Sequence, residues 1–105
     1  MKTRISLLSE MGILGPYDET CPLQVVEVDL DDPGPNEVLV KILAAGVCHS
    51  DLSVINGDRP RPVPVALGHE GVGEVLKTGP GSSDLKRGQR VSMVFVPSCG
   101  HCACC

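Results

Sequence analysis

Glycine and proline constrain this chain more than any other feature: twelve Gly and nine Pro among 105 residues make frequent turns and interrupt any long helix. What fits between such breaks is a set of short strands. The expectation is therefore a mainly β fold, a small barrel or sandwich, with one or two short helices. The length allows one compact domain with a modest core and leaves no room for a separate nucleotide-binding domain. Hydrophobic residues at 42% and charged residues at 21% give a globular balance.

Period-two patterning locates the strands. From Leu23 to Leu30, Val26, Val28 and Leu30 share one face while Glu27 and Asp29 share the other, as in a half-buried strand. Cys21 just before it reads as a small packing residue. Asp31-Asp32-Pro33-Gly34-Pro35-Asn36 forces a turn. Val38 to Ala44 is apolar on both faces, which predicts a central strand. After Gly46 the pattern shifts to one or two helical turns over His49 to Asn56, ended by Gly57 and with Cys48 at their mouth. Arg59-Pro60-Arg61-Pro62-Val63-Pro64 is an extended loop, because its prolines exclude a helix and a central strand alike. Gly71 to Lys77 and Arg90 to Val96 are two further strands, parted by the turn-rich Thr78-Gly79-Pro80-Gly81-Ser82-Ser83.

Charge and hydropathy exclude several partners. A net charge of −4, with no run of Lys or Arg and no basic-aromatic stripe, gives no footing for a phosphate backbone, so nucleic acid is not expected. The apolar stretches are short and broken, well below the roughly 18 residues of a membrane span, so no membrane partner is expected either. Met1-Lys2-Thr3-Arg4 followed by Ile5-Ser6-Leu7-Leu8 has the opening charge of a signal peptide, but Glu10 interrupts it and no small-residue cleavage site follows. The segment reads instead as a strand of a cytoplasmic protein. Six cysteines would mean disulfides in a secreted domain; four of them crowd into the last seven residues at metal-ligand spacing, which fits reduced thiols in a cytosol.

Three constellations carry chemistry. In the tail, Cys99, Cys102 and Cys105 recur every third residue, and a turn with two residues between ligands lets thiolates converge on one zinc at about 2.3 Å. Three ligands leave a closed tetrahedral site one short; His101, Cys104 or a residue beyond the chain's end would complete it. Disulfide-bonded or reactive thiols and an iron-sulfur cluster compete for the same spacing. The second constellation is Cys48-His49-Ser50-Asp51 after Ala44-Ala45-Gly46. A thiolate at the start of a helix is stabilised by the first amides and suits a metal, although a lone Cys after a strand equally reads as a small buried hydrophobe. The third is Gly68-His69-Glu70-Gly71, where a neutral imidazole stands beside a carboxylate that can tune or orient it; alone it reads as a surface His beside a Glu. Gly71-Val72-Gly73 is no nucleotide-binding loop, because strand and not helix follows.

Together and in this order these residues resemble the zinc-dependent medium-chain alcohol dehydrogenases, whose catalytic domain has a fold like that of the GroES chaperonin. The resemblance covers most of the chain. It runs from Ala45-Gly46-Val47-Cys48-His49-Ser50-Asp51 through Gly68-His69-Glu70, Gly73 and Gly79 to Gly88-Gln89-Arg90-Val91 and the cysteine cluster.

The resemblance implies a GroES-like barrel over 1–105 as the N-terminal part of the catalytic domain, with the cofactor-binding Rossmann domain absent. It implies that Cys48 and His69 hold a catalytic zinc, completed by a second Cys from a region after this sequence. Glu70 matches an acid that exchanges into the metal's shell, Ser50 the hydroxyl that takes the substrate proton, and Asp51 the carboxylate that orients the His. His49 matches a residue on the cofactor pyrophosphate, and Phe95 one that lines the substrate pocket, though as the only Phe it equally reads as core. Cys99, Cys102 and Cys105 match three of four ligands of a structural zinc. The implied activity is oxidation of a small alcohol to an aldehyde or ketone with NAD or NADP, in a full-length homo-oligomer, with the fragment inactive alone.

Two departures stand out. Ser53 replaces a His that ends the proton relay in many members, and Gln89 replaces an Asp at the entry to the following strand, where only local turn stability is at stake. Cys104 is an additional thiol without an assigned role. The rival from another class is a stand-alone zinc-binding or assembly module. A zinc-free quinone reductase of the same fold has no use for two sets of zinc ligands.

Overall fold

The computed structural model describes residues 1–82, 84–96 and 98–105. Its first sheet is organised by β1 (Lys2–Leu8), whose alternating residues place Leu8 in the centre with no exposure at all. Antiparallel pairing joins β1 to β2 (Leu23–Asp29), from Lys2 opposite Asp29 to Leu8 opposite Leu23. On its other edge β1 pairs with β4 (Val65–Leu67), Ser6 facing Leu67 and Leu8 facing Val65. A short helix α1 (Tyr17–Thr20) precedes β2 and closes on Cys21, whose φ of 43° is left-handed.

The second sheet has the order β3 (Val38–Ala45), β5 (Gly71–Thr78), β6 (Arg90–Ser92), again antiparallel. The pairing runs from Val38 opposite Thr78 to Ala45 opposite Gly71, with shifts of register between Leu39 and Val40 and between Ile42 and Ala44. β5 takes the centre because its glycines let neighbours approach: a side chain at Gly73 would collide with Val40 and the Lys41 carbonyl. The register also decides what lies at one end of the sheet. Where β3 stops and β5 starts, the Gly46 amide donates to the Glu70 carbonyl at 3.1 Å, so the segments carrying Cys48 and His69 are brought side by side.

Helix α2 (His49–Ile55) leaves that end of the sheet, with extended Cys48 as its N-cap and Gly57, at φ 89°, beyond its last turn. Its buried face is Val54 and Ile55, which pack with Leu8 against Met11, Tyr17, Leu23, Val65 and Leu67. Apolar burial against the first sheet thus fixes the helix whose first turn carries Ser50 and Asp51. The fold is mainly β with two short helices, as expected.

Several expectations need correction. β3 is an edge strand, with Ile42 and Leu43 about half exposed, because β5 is paired on both sides. β6 ends at Ser92 instead of reaching Val96: its partner runs out at Gly71, whose carbonyl accepts from Met93 N. Val94, Phe95 and Val96 are then exposed, so Phe95 is not part of this chain's own core. Cys21 is exposed at the helix end, its thiol donating to the Asp18 carbonyl at 3.5 Å, and is no core packing residue. β4 and α1 carry no pattern long enough to be predicted. Ser83, the last residue of the segment read from sequence as turn-rich, lies outside the described residues.

Candidate functional site

Cys48 lies just past β3, and His69 and Glu70 lie just ahead of β5. The sheet register brings one ligand atom from each of these three residues within 4.8 Å of the others. His69 is held from both sides. Its Nδ1 is 3.2 Å from Asp51 Oδ1 and its Nε2 is 3.2 Å from Ser50 Oγ. Both the imidazole and the carboxylate are largely shielded, at 26% and 18% exposure. A proton on Nδ1 donated to Asp51 leaves the Nε2 lone pair turned toward Cys48. Ser50 Oγ also lies 3.2 Å from Cys48 Sγ.

A serine hydroxyl has one hydrogen to donate. An unprotonated Nε2 and a thiolate are both acceptors, so Ser50 alone cannot satisfy the two together. The deficit is one a cation fills. Tetrahedral zinc with ligands at about 2.0–2.3 Å holds its donors about 3.3–3.8 Å apart, a spacing that the three-residue group accommodates. Cys48, His69 and Glu70 therefore fit zinc by donor chemistry and by spacing.

The electrostatics agree. The Ser50 hydroxyl, then the Ser50 amide and His69, hold the Cys48 thiol below its ordinary range, against burial and the Glu70 carboxylate. His69 is pushed up, first by its hydrogen bond with Cys48 and further by Asp51, while burial opposes. Both shifts describe a thiolate facing an imidazolium, with a proton on the ring in the place a cationic metal takes when thiolate and neutral imidazole become its ligands. Glu70 reaches the group because Gly46 has no side chain: a Cβ there would collide with the Glu70 carboxylate.

Around these residues is a cavity of about 460 Å³ that also touches Phe95, Arg59 and Arg61. Phe95 meets the His69 ring edge to face, with centroids 5.6 Å apart. His49 is the exposed first residue of α2, outside the ligand group. Ser53, at the position of the departure noted above, donates its hydroxyl to the His49 carbonyl at 3.2 Å, an in-helix bond. Gln89 accepts from the Lys86 amide and so closes the turn before β6. Sequence reasoning missed the arginines as cleft residues; the only signal was their alternation with prolines.

The second ligand group is Cys99, Cys102 and Cys105, whose sulfurs also lie within 4.8 Å of one another. Sγ of Cys105 is 3.6 Å from that of Cys99 and 3.3 Å from that of Cys102, far beyond a disulfide bond of about 2.05 Å and near the spacing of zinc-bound thiolates. All six cysteines are free. The Ser98 hydroxyl, helped by Cys102, the Gly100 amide and Cys99, lowers the Cys105 thiol to about 6. The amides of His101 and Cys102 lower Cys99. A turn of amides around sulfurs favours thiolates, so this group fits zinc as well. Cys104 stands outside both ligand groups but lines the same surface hollow as the other tail cysteines.

Residues 34–105 match the model of the alcohol dehydrogenase GroES-like domain. The chain is 40% identical, over its whole length and 26% of the relative's, to the NDMA-dependent alcohol dehydrogenase of Amycolatopsis methanolica. It is 41% identical to the S-(hydroxymethyl)glutathione dehydrogenase of Synechocystis sp., again over its whole length and 27% of the relative's. The structure of the cobalt- and zinc-bound thermostable alcohol dehydrogenase from Pyrobaculum aerophilum is similar with a TM-score of 0.80 at 33% identity, covering 98% of this chain and 30% of that one. The chain thus spans about a quarter of the length of the relatives it matches. On its sequence match, its fold and the metal-bound enzyme it resembles, this chain belongs to the GroES-like domain family of the zinc-dependent alcohol dehydrogenases.

Proposed function

We propose that this chain is the N-terminal part of the catalytic domain of a zinc-dependent, nicotinamide-linked dehydrogenase that interconverts a small alcohol and its aldehyde or ketone. The observation that carries the reading is the convergence of Cys48, His69 and Glu70 with Asp51 on the far ring nitrogen. When bound, zinc supplies a Lewis acid for the substrate oxygen, and NAD or NADP supplies the hydride acceptor or donor.

The chain's own residues perform the rest. Cys48 and His69 are the metal ligands here, Glu70 is an acid that exchanges into the shell, and a further cysteine comes from chain beyond residue 105. Asp51 fixes the tautomer and orientation of His69. Ser50 Oγ, within 3.2 Å of both Cys48 Sγ and His69 Nε2, takes the alcohol proton as the oxygen gives it up and passes it outward. With Ser53 bonded to backbone, that proton leaves Ser50 by water. His49, exposed at the head of α2, would contact the pyrophosphate of a bound cofactor. Cys99, Cys102 and Cys105 hold a structural zinc. Phe95, exposed and edge-on to His69, lines the substrate pocket.

Exposed Val47, Val94, Phe95 and Val96 support a chain that packs against more protein, including a cofactor-binding domain and, in the homo-oligomer, further copies. Six free cysteines fit a cytoplasmic enzyme. Among the described residues no helix is long and apolar enough to cross a membrane.

The test is zinc content and nicotinamide-linked alcohol turnover of the 105-residue chain beside a protein extended to its relatives' length. The expected result is substoichiometric zinc and no turnover in the short form, with two zinc ions per chain and turnover in the extended one. Robust turnover by the short form contradicts the reading, as does a zinc-loaded extended protein that oxidises no alcohol. That second result returns the chain to a zinc-binding module.

A further inference from the structure

The cleft beside Cys48 and His69 contains two positive charges that the alcohol dehydrogenase reading leaves without a task. Arg59 and Arg61 line the same cavity as Cys48, Ser50, Asp51 and His69. The ion pairs among the described residues are Lys2 with Asp29, Lys77 with Asp32 and His69 with Asp51, so neither guanidinium is paired. The acids near them are engaged elsewhere: Asp51 on His69, Glu70 in the ligand group, and Asp58 on the Asn56 side-chain amide at 2.9 Å.

The loop that carries the arginines is built to hold them in place. Its backbone is tied by Arg59 N to the Ser53 carbonyl at 2.8 Å and by Arg61 N to Met11 Sδ at 3.3 Å. Pro60 and Pro62 fix φ at alternate residues. A guanidinium on such a loop loses less freedom when it binds than one on a mobile segment. Burial orders the cleft: Cys48 and His69 are half-buried, while Arg59 and Arg61 are exposed at the rim. The remaining wall is apolar, from Val54, Val65 and Leu67. The whole chain carries a net charge of −4, which repels anions at long range. An anion entering this cleft would depend on these local donors, and a guanidinium suits a carboxylate or phosphate because it donates in bidentate fashion.

Resting on the dehydrogenase reading, we propose that Arg59 and Arg61 select the substrate: an alcohol or aldehyde whose far end carries an ionised carboxylate or phosphate, joined to the reacting carbon by a short apolar segment. The metal end receives the oxygen, the apolar wall covers the spacer, and the rim holds the charge.

The test uses the extended, zinc-loaded protein with saturating cofactor and compares kcat/KM for an ω-hydroxyalkanoate, an ω-hydroxyalkyl phosphate of equal length and the methyl ester of the former. Charge-assisted hydrogen bonds predict a preference of roughly ten- to hundredfold for an ionised substrate over the ester, and the two anionic arms tell which group is preferred. In Arg59→Gln and Arg61→Gln, kcat/KM falls roughly tenfold or more further for that anion than for the ester. The loss is expressed mainly in KM, and lysine at either position restores part of it. Equal rates for ester and anions in the unaltered protein overturn the proposal. So do variants that raise only the KM of the nicotinamide cofactor, which assigns the arginines to its phosphates. Turnover of the ester with no charge preference leaves the dehydrogenase reading standing; so does turnover of simple alcohols but none of the three, which overturns the proposal alone, whereas oxidation of no alcohol at all ends both.

Discussion

Cys48 and His69 come from the two sides of a strand pair and meet only because β3 and β5 are in register, whereas Cys99, Cys102 and Cys105 share one exposed turn. The first group has partners before any metal arrives: Asp51 and Ser50 orient the His69 ring, and buried Val54 and Ile55 hold the helix beneath them. Among the described residues the second has its own sulfurs, the Ser98 hydroxyl and the surrounding amides. One site is preorganised by the fold and suits chemistry that needs a fixed geometry. The other is local, and its metal organises the chain around it. The two should therefore respond differently to the same kind of damage.

The sharpest separation comes from ligand removal in the extended protein. Cys48→Ser or His69→Ala lowers alcohol turnover by roughly a thousandfold or more, the scale of losing a Lewis acid worth several kcal/mol, and removes one zinc while the tail keeps its own. Metal analysis and steady-state rates check this together, and loss of both ions breaks the distinction. Cys102→Ser acts in reverse. It empties the tail and lowers the melting temperature by about 5 °C or more, as withdrawal of a ligand bound only to the folded state demands, while zinc remains at the Cys48 group. Calorimetry with metal analysis reads both effects.

Asp51→Asn is milder, since the ligands stay and only the ring's orientation loosens. Zinc affinity at the first group falls about ten- to hundredfold, and affinity at the tail does not change; competition with a chromophoric chelator measures each. Val54→Ala is the smallest. It costs about 2 kcal/mol of stability from lost burial and an incompletely collapsed cavity, measured by denaturant unfolding. Because Val54 underlies α2, the first site loosens in step while the tail is indifferent. Equal sensitivity of both sites shows that the tail too depends on the core.

The same contrast explains what was legible in the sequence. The tail could be read almost completely, because its ligands lie within a single turn and spacing alone determines whether they meet. The helix after Cys48 and the strands β2 and β5 were legible from periodicity and from their bounding glycines and prolines, and β1 from a short apolar run that Glu10 interrupts. Convergence of Cys48 with His69 was not visible in spacing and entered only through resemblance, since it depends on which strands pair. β4, only Val65–Leu67, is too short for a period and is selected by the free edge of β1. β3 looked central because Leu39, Lys41 and Leu43 gave no clear polar face, but its pairing is one-sided. Arg59 and Arg61 read as loop charges, because only tertiary packing turns that loop toward the cleft.

The most direct measurement is an anomalous difference map, recorded at the zinc edge, of crystals of the zinc-loaded protein. The expected result is a peak bonded to both Cys48 Sγ and His69 Nε2 at about 2.0–2.3 Å, with Asp51 on the other ring nitrogen and a second peak among Cys99, Cys102 and Cys105. A single peak at the tail, with Cys48 and His69 too far apart to share an ion, contradicts it.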